Sequence, residues 1–269
     1  MYLSTAMILL LLCSVVFAVI YRGITSLSWE MVSSVPKGGY YMGKEGGVLN
    51  AILGSLYLSI GATVLSMLMS LPIVLYINLY LKPDSKFAAT IRLAMDLMWG
   101  VPSIVYGAFG FTVMVLIGLK TSMLAGMITL AIMILPIIIR AMDEIVRTVP
   151  LGLIEASLSL GATRWETAFK VVVKQTMPGI VTAMLLGFGR AIGDAASVIF
   201  TAGYTDKIPY SIMKQVGTLP LSIFFQLGSP IPEVQNRAYA AAVILTIIIL
   251  IVSILSRLYY RKFARNRIL

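Results

Sequence analysis

Long apolar runs, most of them free of charged residues, alternate along the chain with shorter polar segments. The runs lie within residues 3–21, 48–81, 93–119, 121–139, 178–204 and 238–256. A helix needs about 20 such residues to cross the hydrocarbon core of a bilayer, and each run reaches or exceeds that length. The pattern predicts an all-α membrane protein with six transmembrane helices, built as one domain over residues 1–269.

The composition indicates lipid rather than water as the surroundings. Hydrophobic residues make up 59% of the 269 residues and charged residues only 12%, with a mean hydropathy of +0.95. A soluble domain carries roughly 25% charged residues. The net charge of +10 does not indicate a nucleic-acid partner, because the basic residues lie at the ends of apolar runs and form no basic domain.

The chain offers little material for catalysis or metal binding. It contains no His, and its single cysteine, Cys13, lies inside the first apolar run. The commonest general base and a metal or disulfide scaffold are therefore missing, so we predict neither a catalytic site nor a metal site. The first run lacks a basic start and is longer than the apolar core of a signal peptide, which predicts a retained helix.

Basic residues also predict the orientation of the helices. With both termini in the cytoplasm, thirteen Lys and Arg residues lie in inner segments and seven in outer segments, in agreement with the positive-inside rule. We therefore predict cytoplasmic termini, a basic tail at 257–267 and a cytoplasmic loop at about 140–176. The two longer outer loops, 22–47 and 205–237, are rich in Gly, Pro and Ser and are predicted to be irregular surface connections.

The cytoplasmic loop is predicted to hold two short helices that meet at Gly161, because Gly readily adopts the backbone of a sharp turn. Leu158, Leu160 and Trp165 would then face an aqueous compartment beside charged residues. Such a surface suits the docking of a partner protein. It suits an amphipathic helix resting on the lipid interface equally well, and the residues alone leave both interpretations open.

The fifth apolar run contains two residues of opposite charge. Arg190 lies about 11 residues past the predicted start of its helix, near the bilayer centre, where an unpaired charge costs at least about 2.5–3.5 kcal/mol. Asp194, four residues on, shares its helix face and can pair with it. The pair could be structural, or Arg190 could line a path for an anion, since a guanidinium suits oxyanions. The two interpretations can coexist.

Further charged residues stand near the ends of the third and fourth runs. Arg140 ends the fourth run, and as a boundary residue it needs no special role. Arg92 and Asp96, at the start of the third run, are predicted to form a structural pair with each other, because residues four apart are neighbours on a helix surface.

The segment Glu155-Ala156-Ser157, with Gly161 six residues after the glutamate, resembles the EAA loop of ABC-importer permeases. The resemblance implies that this loop forms a coupling helix in a groove of a separate ATP-binding subunit. Leu158 and Trp165 are assigned to the same coupling surface. Lys174 departs from the family, which usually has a proline there. The chain has no P-loop to cradle ATP phosphates, so we expect no ATPase site and no cofactor in this chain.

Four further segments resemble the phosphate-specific ABC permeases, and the PstA-type subunit more than its PstC-type partner. They are residues 100–107, 189–194, 200–203 and 218–223. Together with the EAA loop, the resemblance covers about half of the chain. It implies the type I ABC-importer permease fold, in which six transmembrane helices carry short cytoplasmic coupling helices.

For function, the resemblance implies ATP-driven import of inorganic phosphate, with Arg140, Arg190 and Asp194 along the substrate path. The implied partners are a homologous second permease, two ATP-binding subunits and an extracytoplasmic phosphate-binding protein, all at a prokaryotic cytoplasmic membrane. The chemistry of the residues does not distinguish phosphate from another oxyanion. A PstC-type subunit is an alternative within the family, and a self-contained channel or secondary anion transporter is an alternative of another class.

Overall fold

The computed structural model describes residues 2–37, 45–82 and 84–264, with side chains as far as residue 259. Parts of the predicted basic tail and of the first predicted outer loop lie outside the described residues. The α-helices are α1 (Tyr2–Gly23), α2 (Trp29–Ser33), α3 (Leu49–Leu79), α4 (Lys86–Trp99), α5 (Ser103–Leu116), α6 (Met123–Val146), α7 (Leu151–Ser159), α8 (Arg164–Glu166), α9 (Lys174–Ile192), α10 (Leu219–Leu227) and α11 (Pro232–Ala264).

Three short elements complete the described chain. A 3₁₀ turn, Ile24–Ser26, follows α1, and a π-helical segment, Thr167–Val173, joins α8 to α9. The two-residue strands β1 (Pro36–Lys37) and β2 (Glu45–Gly46) pair in antiparallel register.

Five segments are long and apolar enough to cross a membrane, and α4 with α5 makes a sixth if the pair counts as one span. The five are Tyr2–Ser26, Leu49–Leu79, Met123–Val146, Arg164–Ile192 and Pro232–Tyr259. The predicted all-α, multi-pass architecture is therefore confirmed.

Helices α3, α6 and α9 form the centre of the bundle, and α6 is the most deeply buried of them. Helix α9 lies against α6 at two glycines, with Gly179 facing Ile145 and Gly187 facing Ile138. A Cβ atom on either glycine would come within 2.6 Å of the facing isoleucine. The glycines therefore allow the close approach that is typical of small residues between membrane helices.

The buried face of α3 is polar, whereas its outward face is apolar. Ser55, Ser59, Thr63, Ser66 and Ser70 recur at intervals of three or four residues, and each is at most 5% exposed. The hydroxyls of Thr63 and Ser70 donate to the carbonyl oxygens four residues earlier, at 2.8 and 2.7 Å. This inverted amphipathicity suits a lipid environment, where small residues face neighbouring helices and large apolar side chains face hydrocarbon.

The third predicted span is not one helix. Helices α4 and α5 are bent by 102° relative to one another across a short break. Pro102 stands at this break; it lacks a backbone N–H and disfavours helical geometry in the residue before it. The third span, predicted to fall within residues 93–119, is therefore two helices joined at a sharp bend and not one straight helix.

The fifth predicted span has different ends in the structure. The helical segment begins at Arg164 and continues through Pro178 to Ile192, so it starts earlier and stops earlier than predicted. The π-helical segment Thr167–Val173 lies just before Pro178. Local π-helical adjustment is one way in which membrane helices accommodate a proline. The predicted start at Pro178 is wrong because this proline lies inside the helix.

The chain between α9 and α10, residues 193–218, is non-helical, and most of its buried residues lie near its two ends. Its carbonyl oxygens at Thr201, Lys214 and Ile212 accept hydrogen bonds from the backbone N–H groups of residues 122, 123 and 124, at 3.0, 2.8 and 2.8 Å. These N–H groups belong to the first turn of α6, which has no intrahelical acceptors for them. The segment therefore caps α6.

The second predicted outer loop, 205–237, is more ordered than expected. It contains α10, whose Leu219 and Leu221 are fully buried. The N–H of Leu219 donates to the Ser55 hydroxyl of α3 at 2.8 Å. Nearby, the hydroxyls of Tyr204 and Ser222 share a 2.7 Å hydrogen bond. The prediction of an irregular surface connection is wrong for this part.

The contact between α3 and the non-helical segment generates a test of packing. A Cβ at Gly54 would overlap the backbone carbonyl of Gly217, which cannot move like a flexible side chain. Gly54→Ala should therefore lower the free energy of unfolding by about 1–3 kcal/mol, seen as a lower Tm of the detergent-purified protein. Gly228→Ala, where a Cβ meets only ordinary contacts at 3.5 Å or more, is the control. Equal Tm values for the two variants would contradict this packing.

Candidate functional site

The ion pair predicted in the fifth span is present in the structure. The Arg190 Nη1 atom lies 3.0 Å from the Asp194 Oδ1 atom. The other carboxylate oxygen of Asp194 accepts hydrogen bonds from the backbone N–H and the hydroxyl of Ser197, at 2.8 and 2.5 Å. Asp194 therefore orients Arg190 through one carboxylate oxygen and stabilises the turn that follows α9 through the other.

The two partners differ sharply in exposure. The Arg190 side chain is 44% exposed, whereas that of Asp194 is 4% exposed. A guanidinium carries five N–H donors, and Asp194 is bonded to one of its terminal nitrogens. The pair thus presents an oriented and accessible guanidinium, which is the geometry that binds oxyanions well.

The position of Arg190 differs from the prediction. Because the helical segment begins at Arg164, Arg190 lies in the last turn of α9 and not near its middle. The carbonyl groups at a helix C-terminus favour a nearby cation. Arg190 therefore stands where the helix gives way to the non-helical segment, with Asp194 just beyond the helix end.

Arg140 lies on α6 and has its own acidic partners. Its Nη1 atom is 3.5 Å from Asp96 of α4, and its Nε atom is 3.2 Å from Glu144. In the register set by the α6–α9 contacts, Arg140 and Arg190 lie at different levels of the bundle. The two levels are about five helical residues apart, which is about 8 Å along the bundle axis. No described contact joins the two arginines, which engage different neighbouring elements.

The predicted pair of Arg92 with Asp96 is wrong. Arg92 instead binds Asp143 of α6 with two nitrogens, Nε at 2.9 Å and Nη2 at 3.2 Å. Asp96 pairs with Arg140 on the same helix. Arg92 and Asp96 therefore both bind α6, since a buried carboxylate that accepts two donors is a stronger partner than an exposed neighbour four residues away.

Asp143 is a charged residue that the sequence interpretation missed. It is 2% exposed, and besides Arg92 it accepts a 2.7 Å hydrogen bond from Asn78 of α3 and lies 3.3 Å from Arg147. It thereby joins α3, α4 and the end of α6. The available signal was Arg147, four residues after Asp143, because residues four apart are neighbours on a helix surface.

The turn predicted at Gly161 is confirmed, in the loop between α6 and α9 that contains α7 and α8 (the α7 loop). Helix α7 ends at Ser159, and Gly161 has a φ of 85°, a left-handed backbone that favours glycine. Glu155 and Ala156 are exposed, as is Leu158, and Leu160 at the tip is 89% exposed. Thr163 and Glu166 then form a reciprocal capping box that begins α8.

The base of this loop is attached to the bundle. The hydroxyls of Ser157 and Thr167 share a 2.9 Å hydrogen bond, which fixes α7 against the segment leading into α9. Arg164 Nη1 lies 3.4 Å from the carbonyl oxygens of Leu79 and Tyr80 at the end of α3. The exposed tip is thus connected directly to two central helices, α3 and α9.

The structure separates Trp165 from the loop tip. Its ring lies 4.4 Å from that of Phe169 and borders a cavity against α3 and α4. Sequence interpretation grouped Trp165 with Leu158, which belongs to α7. The tip of the loop and its base therefore present two different apolar surfaces.

Residues 70–266 match the family model of the binding-protein-dependent transport system inner membrane component. This stretch contains Arg140, the α7 loop and the Arg190–Asp194 pair. The chain belongs to this family.

Individual relatives extend the similarity to almost the whole chain. A phosphate transport system permease protein PstA from Haemophilus influenzae is 30% identical over 264 residues, covering 97% of this chain and 91% of the relative. A PstA protein from Yersinia pestis is 31% identical, covering 92% of this chain and 83% of the relative. A probable ABC transporter permease protein from Bacillus subtilis is 27% identical over 98% of this chain and 95% of its own length.

Solved structures show the same fold at lower identity. An inward-facing MetNI methionine ABC transporter chain matches with a TM-score of 0.64 at 20% identity, covering 80% of this chain and 95% of that one. A bacterial ABC transporter involved in alginate import matches with a TM-score of 0.61 at 15% identity, covering 97% and 96%. The expected ABC-importer permease fold is confirmed.

The Asp143 cluster generates a test of the bundle near the α7 loop. Asp143→Asn leaves Arg92 and Arg147 without a counter-charge, so we expect the free energy of unfolding to fall by about 1–3 kcal/mol, less than for a fully buried pair because both arginines are partly exposed. The matched control is Glu144→Gln, the adjacent acid, whose side chain is 66% exposed. Thermal melting in detergent should separate the two variants, and an equal change in both would contradict the role of Asp143.

Proposed function

We propose that this chain is the membrane-spanning permease subunit of an ATP-driven importer of inorganic phosphate. The observation that carries the proposal is the similarity to PstA phosphate permeases over more than nine-tenths of the chain. In this proposal the chain is a transport subunit, and it has no ATPase site of its own.

The substrate assignment is supported by the geometry around Arg190. Phosphate is a tetrahedral oxyanion, and an exposed guanidinium held from one side by Asp194 has donors available for it. The non-helical backbone beyond Ile192 is also in keeping with a path, since irregular backbone at membrane depth is tolerated where it is buried in protein or lines a cavity. Arg140, which is 38% exposed and balanced by two acids, is proposed as a second position on the path.

The energy source is proposed to be a pair of ATP-binding subunits docked on the α7 loop. Glu155, Ala156, Leu158 and Gly161 form its exposed part, and apolar side chains beside a charge are typical of a docking surface. The attachments of the loop base to α3 and α9 would carry subunit motion into the bundle. The complex is completed by a homologous second permease and an extracytoplasmic phosphate-binding protein.

The proposed location is a prokaryotic cytoplasmic membrane, with both termini on the cytoplasmic side. The excess of Lys and Arg in the segments assigned to the inside supports this orientation. The α7 loop then lies in the cytoplasm, where ATP is available, and the α10 segment lies outside, where a binding protein delivers substrate.

Phosphate uptake by variants of Arg190 tests the substrate path. Arg190→Ala should lower uptake of labelled phosphate into vesicles containing the assembled complex by at least about tenfold, the loss expected for a hydrogen-bonded charge. Arg190→Lys should retain part of the uptake, since it keeps the charge but loses the planar fork. Arg22→Ala, at an exposed arginine at the end of α1, is the control and should transport normally. Undiminished uptake in Arg190→Ala would contradict the proposal.

Two glycines of the cytoplasmic loop provide a matched test of coupling. A Cβ at Gly152 or Gly161 meets nothing within 4 Å, but only Gly161 has a positive φ. Gly161→Val should therefore distort the turn, weaken copurification of the ATP-binding subunits and lower ATP-dependent uptake. Gly152→Ala should leave both unchanged. Normal assembly and uptake in Gly161→Val would show that the turn is not the docking surface, as would be the case for a self-contained channel.

A further inference from the structure

An aromatic groove of about 550 Å³ lies at the base of the cytoplasmic loop. It is bounded by the end of α3, the start of α4 and the chain that follows Gly161. Five aromatic rings line it, while its remaining walls are aliphatic. The rings belong to Tyr76, Tyr80, Phe87, Trp165 and Phe169.

The groove is open to the surroundings of the bundle. Trp165 is 65% exposed and Phe87 58%, although both side chains line an apolar cavity. Four of the rings are arranged in two pairs, with ring centres 5.8 Å apart for Tyr76 and Tyr80 and 4.4 Å apart for Trp165 and Phe169. Trp and Tyr side chains are enriched where a membrane protein crosses from hydrocarbon to headgroups. The groove therefore has the composition of a membrane interface.

The mouth of the groove carries positive charge. Arg164 lies 5.7 Å from the centre of the Tyr80 ring. Lys82 is exposed on the connection from α3 to α4, and Lys86 is exposed at the first residue of α4. Within the described residues, none of these three cations forms an ion pair with a carboxylate. Asp84 is the acid that stands between the two lysines in sequence, so the mouth has an excess of cations over acids.

We propose that this groove binds an anionic phospholipid. Its acyl chain would lie against the aromatic rings, and its phosphate would contact Lys82, Lys86 and Arg164. Charge complementarity favours an anionic lipid over a neutral one, because basic pockets between helices on the cytoplasmic side suit anionic headgroups. The apolar walls account for the acyl chain, which a free phosphate ion lacks.

Such a site would connect the lipid to the coupling loop. Arg164 donates to the carbonyl oxygens at the end of α3, and Trp165 and Phe169 follow in the segment leading to α9. A lipid in the groove would therefore contact both α3 and the base of the loop. The inference goes beyond the proposed transport function and does not depend on which solute crosses the membrane.

Quenching of Trp165 fluorescence by brominated lipids tests the proposal. The chain has three tryptophans, and Trp29 and Trp99 are 82% and 59% exposed, so both can be changed to Phe with little effect on packing. The full-length double variant is reconstituted into vesicles that contain either brominated phosphatidylglycerol or brominated phosphatidylcholine at the same mole fraction. We expect clearly stronger quenching by the anionic lipid.

The lysine residues supply the matched variants. Lys82→Gln with Lys86→Gln should remove the preference for phosphatidylglycerol, whereas Lys120→Gln with Lys207→Gln, at the opposite end of the bundle, should retain it. Equal quenching by the two lipids in the unmodified groove would show that only bulk lipid contacts Trp165, and it would overturn the proposal. Absence of quenching by either lipid would show that protein covers the groove, and would overturn it as well. Because no transport is measured, failure here is distinct from failure of the proposed function.

Discussion

The N–H groups in the first turn of a helix have no acceptors within that helix, so they must find partners elsewhere in the protein. The non-helical chain after α9 supplies these partners for α6. Its carbonyl oxygens accept from the first turn of α6, and α10 is joined to α3 through Ser55. This segment begins where α9 ends, so Arg190 stands in the last turn of α9, beside the buried Asp194.

At the other end of the bundle, charged side chains connect the helices to one another. Asp143 joins α3, α4 and α6, while Arg164 attaches the α7 loop to the end of α3. The exposed loop tip is therefore not an isolated appendage, because displacement of its base acts on central helices. In the proposed importer, this junction and the Arg190 site are the two ends of one mechanical path, and Gly179 and Gly187 hold α9 and α6 together between them.

Much of this architecture could be predicted from the sequence because membrane spans require long apolar runs. The turn at Gly161 and the pairing of Arg190 with Asp194 followed from local backbone preference and helical spacing. The bend between α4 and α5 and the early end of α9 could not be placed, since the effect of a proline depends on what replaces its hydrogen bonds. The role of Asp143 was missed because Asn78 and Arg92 bind it from two other helices, and spacing within one helix does not reveal contacts between helices.

ATP is proposed to drive phosphate through a path that includes this chain. Uptake of labelled phosphate and labelled sulfate can be compared in sealed vesicles that contain the complete complex, with and without ATP. We expect ATP-dependent accumulation of phosphate in clear excess over sulfate. Phosphate entry that is equally fast without ATP, or equal accumulation of the two anions, would contradict it.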